Sequence, residues 1–219
     1  MNNSRRLIHF SRPVLIYLFF LYRSQFSITA YNLTMIIIEP YNPAWPKEFE
    51  LLRQELAEVL GELVLRIDHI GSTSVPGMAA KDVIDVQVTV TGLSEEIVQR
   101  MITAGYVFAG HVSDDHLPAG EIEDSDHWQK YYFSEKQGER RAHIHVRVAG
   151  KANQRYPLLF RDYLRTHPNT AETIVRIKRE LAARFTDDVD AYYAVKDPVY
   201  DLVYQAAQAW AEQTGWQLD

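Results

Sequence analysis

Between residues 41 and 90 the apolar positions switch from helical to alternating spacing, and the switch marks out the elements of the chain. Phe49, Leu52, Leu56, Val59, Leu60 and Leu63 recur three or four apart behind Pro43-Ala44-Trp45-Pro46, which predicts a proline-opened helix whose end Gly61 weakens. Residues 64–70 and 83–90 read as strands, with a loop over 71–81 and a stop at Thr91-Gly92. Upstream, Met35-Ile36-Ile37-Ile38-Glu39-Pro40-Tyr41 reads as a first strand and turn. Ser94 is placed to cap a helix over 95–103, and 106–109 is short and strand-like.

Residues 110–127, rich in Gly, Asp and His, predict a long loop. Strands over 130–134 and 142–148, separated by Lys136-Gln137-Gly138-Glu139, predict a hairpin. Helices follow over 153–165, 168–184 and 198–212, the middle one with an apolar stripe of Ile174, Ile177, Leu181 and Phe185. Early strands alternate with helices and later ones form a hairpin. The fold class is therefore α/β (α+β): a mixed sheet of about five strands backed by helices, with a helical C-terminal part.

Alternation also sorts the chemistry. Val83, Asp85, Gln87 and Thr89 share one face of their strand, opposite the apolar Ile84, Val86, Val88 and Val90. His143, His145 and Arg147 are likewise opposed to Ala142, Ile144, Val146 and Val148. If the two strands are neighbours, Asp85, Gln87, His143 and His145 line one wall. Asp85 with His143 and His145 has the donors for a divalent metal, Mg2+ or Mn2+, and His145 those of a base; a merely wet sheet face explains the two histidines equally well.

Upstream, Gly71, Ser72, Thr73 and Ser74 leave amides and hydroxyls open to phosphate, with Lys81 close behind. Such small-residue clusters mark ordinary turns more often, but this one lies between two strands. His69 reads as a bracing histidine and Asp82 as a surface acid. The 111–127 loop carries His111, Asp114, Asp115, His116, Glu121, Glu123, Asp124, Asp126 and His127 without a recognised ligand spacing, and reads as solvated. Arg155, Arg161, Arg165 and Lys196 are candidates to ring an anion, and Tyr131, Tyr132, Tyr192 and Tyr193 to stack a base.

The 219 residues suffice for one full core, and the absence of cysteine removes disulfides and thiolate catalysis. Residues 1–34 differ from the rest: four arginines, no acid, and a nine-residue apolar run too short to span a bilayer. An upstream extension before a start at Met35 accounts for them, leaving 35–219 as a single domain. That domain holds 19 basic and 29 acidic residues, a charge of −10 that argues against non-specific binding of duplex nucleic acid. A cytoplasmic location is expected.

Five blocks together resemble the GrpB family of the nucleotidyltransferase superfamily: Tyr41-Asn42-Pro43-Ala44-Trp45-Pro46; His69 to Gly77 with Lys81 and Ile84-Asp85; His143-Ile144-His145-Val146; Phe160 to Arg165 with His167-Pro168; and Ala191-Tyr192 with Lys196. The resemblance implies a polymerase-β-like fold with Gly71 and Ser72 on triphosphate and Asp85 on magnesium, and substrate contacts from Arg161 or Lys196. It also implies transfer of a nucleotidyl group to a small molecule, and family fusions to dephospho-CoA kinase point to coenzyme A metabolism. The superfamily pattern has a second acid where this chain has Gln87, a poor magnesium ligand, so the alternative is a catalytically degenerate module that binds a nucleotide or phosphorylated metabolite. Asp82 replaces a proline and Tyr193 a threonine. A chain beginning at Met35 is expected to melt at the same temperature as the full chain; a large drop would contradict the upstream-start reading.

Overall fold

The computed structural model describes residues 36–112, 116–121 and 124–218. The expected extension over 1–34 and Met35 itself lie outside them. Helix α1 (Trp45–Leu60) leads into β1 (Val64–Ile70), followed by β2 (Ile84–Val90), α2 (Glu95–Thr103), β3 (Val107–Val112), β4 (Lys130–Ser134) and β5 (Ala142–Val148). Three helices close the chain: α3 (Ala152–Thr166), α4 (Pro168–Arg184) and α5 (Val189–Thr214).

The sheet order is β1-β2-β5-β4-β3, so the mixed α/β sheet with a helical C-terminal part is as expected. β2 and β5 pair in parallel and the other neighbours antiparallel. A parallel pair needs a long crossover, and α2, β3 and β4 supply it. Ile84, Val86, Val88, Ile144 and Val146 are fully buried with Leu56, Leu60 and Met101. Each such side chain contributes roughly 1.5–3 kcal/mol by leaving water, which makes this face of the sheet the main core. A second cluster joins the loop after β1 to α3, α4 and α5 through Val75, Leu159, Ile174, Tyr204 and Ala207.

Five local expectations change, the first being that β3 runs on to Val112, three residues into the predicted 110–127 loop. The predicted strand over 35–41 is only a bridge, with Glu39 N–H donating to Ala80 O at 2.8 Å and Ala80 N–H to Glu39 O at 3.0 Å. Pro40 has no amide to continue the pairing. Ser94 has extended backbone before α2, but its side chain makes no capping bond. Asp82 is not an idle surface acid: Trp45 Nε1 donates to it at 2.7 Å, and Arg140 pairs with it as well. The last helix starts nine residues before the predicted Pro198, which lies inside it.

That early start brings 189–197 onto α5. Pro198 removes one internal hydrogen bond, yet buried Tyr192 before it and Tyr204, Ala207 and Ala211 after it hold both flanks, so packing overrides the break. At the N-terminus Ala191 N–H donates to Asp188 Oδ1 at 2.9 Å. Asp188→Ala is expected to cost about 1 kcal/mol, the usual worth of such a cap, in urea unfolding; no change would show that packing alone sets where α5 begins.

Candidate functional site

β1 ends at Ile70, which lies opposite Asp85 of β2, and the chain then turns at Gly71 with φ 69°. A Cβ there would come within 2.8 Å of Asp85 Cγ and closer still to its carboxylate oxygen. Glycine is required on both counts, because the backbone runs directly against the acid. Ser74 donates its N–H at 3.2 Å and its hydroxyl at 2.5 Å to Gly71 O, so it closes the turn. Thr73 donates to Val83 O at 3.3 Å and bonds His69 Nε2 at 3.0 Å. His69 stacks on Phe49 at 4.7 Å, and burial lowers its pKa to about 4, which fits a neutral bracing group.

The parallel register sets Asp85 beside His143 and Gln87 beside His145. The two chemical strands are therefore neighbours. Asp85 Oδ1 lies 3.3 Å from His143 Nδ1, and the Tyr132 ring lies 5.6 Å from His143 and 5.2 Å from His145. Gln87 is fully buried: its amide donates to Gln154 O at 2.9 Å and its oxygen accepts from Arg147 at 2.9 Å. A glutamate there would keep Arg147 but turn an oxygen toward the Gln154 carbonyl, so the amide suits this position. His145 is held neutral by burial first and then by Arg147, Lys130 and His143, and its Nδ1 is buried without a hydrogen-bond partner among the described residues.

Asp85, His143, His145 and Arg147 open onto a cleft of about 390 Å³ lined also by Gly71, Ser72, Thr73, Lys81 and Lys196, while Gln87 stays buried behind it. Lys178 of α4, only 4% exposed, reaches in from below the loop and donates to Ser72 Oγ at 3.0 Å and Ala79 O at 2.8 Å. Burial, then Lys196 and Lys81, lowers its pKa to about 7. Lys81 donates to Tyr193 OH at 2.6 Å, and Lys196 lies 4.4 Å from the Tyr200 ring centre. With Lys130 and Arg147 the walls hold five cationic side chains against the carboxylates of Asp85 and Asp197. That sign is opposite to the whole chain's net charge of −6.

Lys178 is not among the candidates named from the sequence, and neither are Lys130, Asp197 and Tyr200, which line the cleft with it. Lys178 follows Ile174 by four and precedes Leu181 by three, a lysine on an apolar stripe, and that misfit was the available signal. Arg161 lies outside the main cleft: it donates to His69 O at 3.1 Å, pairs with Asp162 at 2.7 Å, and lines a smaller cavity. Arg165 donates to Ser74 O and Arg155 lies against Trp216. Ser74 also does not line the cleft. Of the 111–127 loop, His116 reaches the cleft and bonds Asp201 at 2.6 Å, His111 lies 5.4 Å from the Tyr131 ring, and Asp114, Asp115 and Glu123 fall outside the described residues.

A resident divalent metal does not fit this donor set. Among the described residues no three Asp, Glu or His side chains gather in a metal-holding group, and Mg2+ prefers carboxylate oxygens, of which the cleft offers Asp85 on the sheet and Asp197 on α5. Arg147 and Lys130, which add to burial in lowering the His145 pKa, also oppose a dication.

Comparison with known proteins matches this fold. The crystal structure of the conserved protein GrpB from Enterococcus faecalis superposes with a TM-score of 0.64 at 30% identity, covering 80% of this chain and 99% of that one. A dephospho-CoA kinase of Mycolicibacterium paratuberculosis is 36% identical over 191 residues, 81% of this chain but 47% of the kinase. A UPF0157 protein of Halalkalibacterium halodurans is 29% identical over 181 residues, 82% of this chain and 85% of that protein. The chain thus spans about half the length of the dephospho-CoA kinases it matches. A family model described as GrpB protein matches residues 35–206, and the chain belongs to the GrpB family.

Proposed function

We propose that the cleft binds a small phosphorylated molecule, a nucleotide foremost, and works as a binding module rather than as a two-metal nucleotidyltransferase. The observation that carries this reading is Lys178, buried beneath Ser72 beside Lys81 and Lys196 in a net acidic chain. Burying an ammonium is costly unless a partner compensates it, and a phosphate at Gly71-Ser72 would be that partner. Lys81 and Lys196 would take further phosphate oxygens, and the unpartnered Nδ1 of His145 offers one more polar contact.

Nucleotidyl transfer is the second reading, favoured by Asp85 packed against Gly71 and paired with His143. In it Asp85 would hold a Mg2+ or Mn2+ that arrives on the triphosphate. The kinase name of the longer relatives supports a dephospho-CoA kinase as partner, with a nucleotide as the shared ligand class. Among the described residues no helix is long and apolar enough to cross a membrane.

Titration calorimetry with pyrophosphate tests the reading. Lys178→Met is expected to weaken binding at least about tenfold, the scale of one lost charge-assisted contact. Unchanged affinity would remove the central support. Asp85→Asn takes a negative charge out of the site, so tighter pyrophosphate binding is expected; abolished binding would favour the transferase.

The pH dependence has a definite sign. Sulfate keeps a constant charge near neutrality, so its affinity should fall as pH rises through about 7 and Lys178 sheds its proton. Lys178→Met should flatten that profile. Without ligand, the folded-state pKa of about 7 lies below the ordinary 10.5, so between these values the unfolded chain binds more protons and stability rises with pH. A wild-type stability curve that matched Lys178→Met across this window would contradict the assignment.

A further inference from the structure

A second cavity of about 120 Å³ shares Gly71, Ser72, Asp85 and Tyr200 with the cationic cleft. Its other walls are of a different kind, formed mainly by Ile70, Val75, Tyr156, Pro157, Phe160 and Leu164. Phe160 stacks on Tyr200 at 5.0 Å and 22°, and Tyr156 continues the row at 6.0 Å and 24°. Arg161 is its one cation, and that guanidinium is committed to His69 O, Asp68 and Asp162. An anion therefore has its partners in the larger cleft, while the smaller cavity offers aromatic faces with Asp85 and Ser72 at the boundary.

Size and polarity narrow the occupant. Apolar cavities on the order of 150 Å³ accept a benzene ring. A sugar would carry several hydroxyls into walls with few partners, and each unpaired hydroxyl costs about 1–3 kcal/mol. We infer that this cavity is the seat of an uncharged single-ring group carrying a hydroxyl or amine that faces Asp85, held next to the phosphate of the larger cleft. The inference deepens the proposed phosphate-binding reading by assigning the chemistry of the neighbouring subsite. Asp85 becomes the shared boundary between an anion-binding and a ring-binding compartment, and its pairing with His143 gives a hydroxyl proton an acceptor on the protein side.

Saturation-transfer NMR on the full chain with benzyl alcohol, glucose and pyrophosphate tests it. Benzyl alcohol should bind through its ring, show contacts to Phe160 and Tyr200 protons in the wild type, and remain bound when pyrophosphate saturates the cleft. Phe160→Leu should weaken benzyl alcohol about fivefold, the scale of one lost aromatic stacking contact, with pyrophosphate affinity unchanged. Glucose binding as well as benzyl alcohol, displacement of benzyl alcohol by pyrophosphate, or wild-type ring contacts elsewhere would each overturn the inference. The wild-type contacts decide the matter even if Phe160→Leu fails to fold. Ring binding without any pyrophosphate binding would sink the phosphate reading and leave the ring subsite standing.

Discussion

The parallel, in-register pairing of β2 with β5 is the constraint on which the site depends. A strand presents alternate residues to alternate faces, so one pairing fixes two surfaces together. With Ile84 beside Ala142 and Val86 beside Ile144 in the core, Asp85 must stand beside His143 and Gln87 beside His145 on the other face. A one-residue slip would carry Asp85 into the core beneath α1 and α2. The roughly 1.5–3 kcal/mol from each buried side chain of that core therefore also positions the polar wall.

What that wall can do follows from the charges gathered around it. Gln87 sits between Arg147 and the Gln154 carbonyl, where its amide satisfies a donor and an acceptor at once. This leaves Asp85 as the carboxylate next to the loop, and Gly71 is pressed so closely against it that no side chain fits between them. Lys178 approaches the same loop from α4, and α5 brings Lys196, Tyr193 and Tyr200. The loop thus sits in a cleft with five cationic side chains against two carboxylates. Such a cleft has more to gain from an incoming anion than from a bare dication.

Much of this was legible in the chain. The 3.6 and 2.0 periodicities gave α1, β1, β2, α2, β4, β5 and α4 nearly to the residue, because each carries an apolar face at regular spacing. The Gly71–Ser72 loop and Asp85 were legible from type and placement, and the neighbouring strands bring them together with His143. Local rules failed where packing decides. Pro198 reads as a helix start, yet the buried tyrosines and alanines on either side carry α5 through it. Asp82 reads as a surface acid until Trp45 and Arg140, far off in sequence, close around it. Arg161, a candidate substrate contact, braces β1 from the wall of the smaller cavity, while Lys178, unremarked in the sequence, points into the cleft. In both cases the decisive partner lies about a hundred residues away, beyond any spacing rule.

The central claim is that the cleft recognises phosphate through its own cations rather than through a metal. Calorimetric titration of ATP into the full chain, once with excess EDTA and once with excess Mg2+, tests it most directly. The account predicts binding in EDTA at least as tight as with Mg2+, weakening steeply as salt is added, since several fixed cations then oppose the full phosphate charge. Binding that appears only when Mg2+ is present would contradict it.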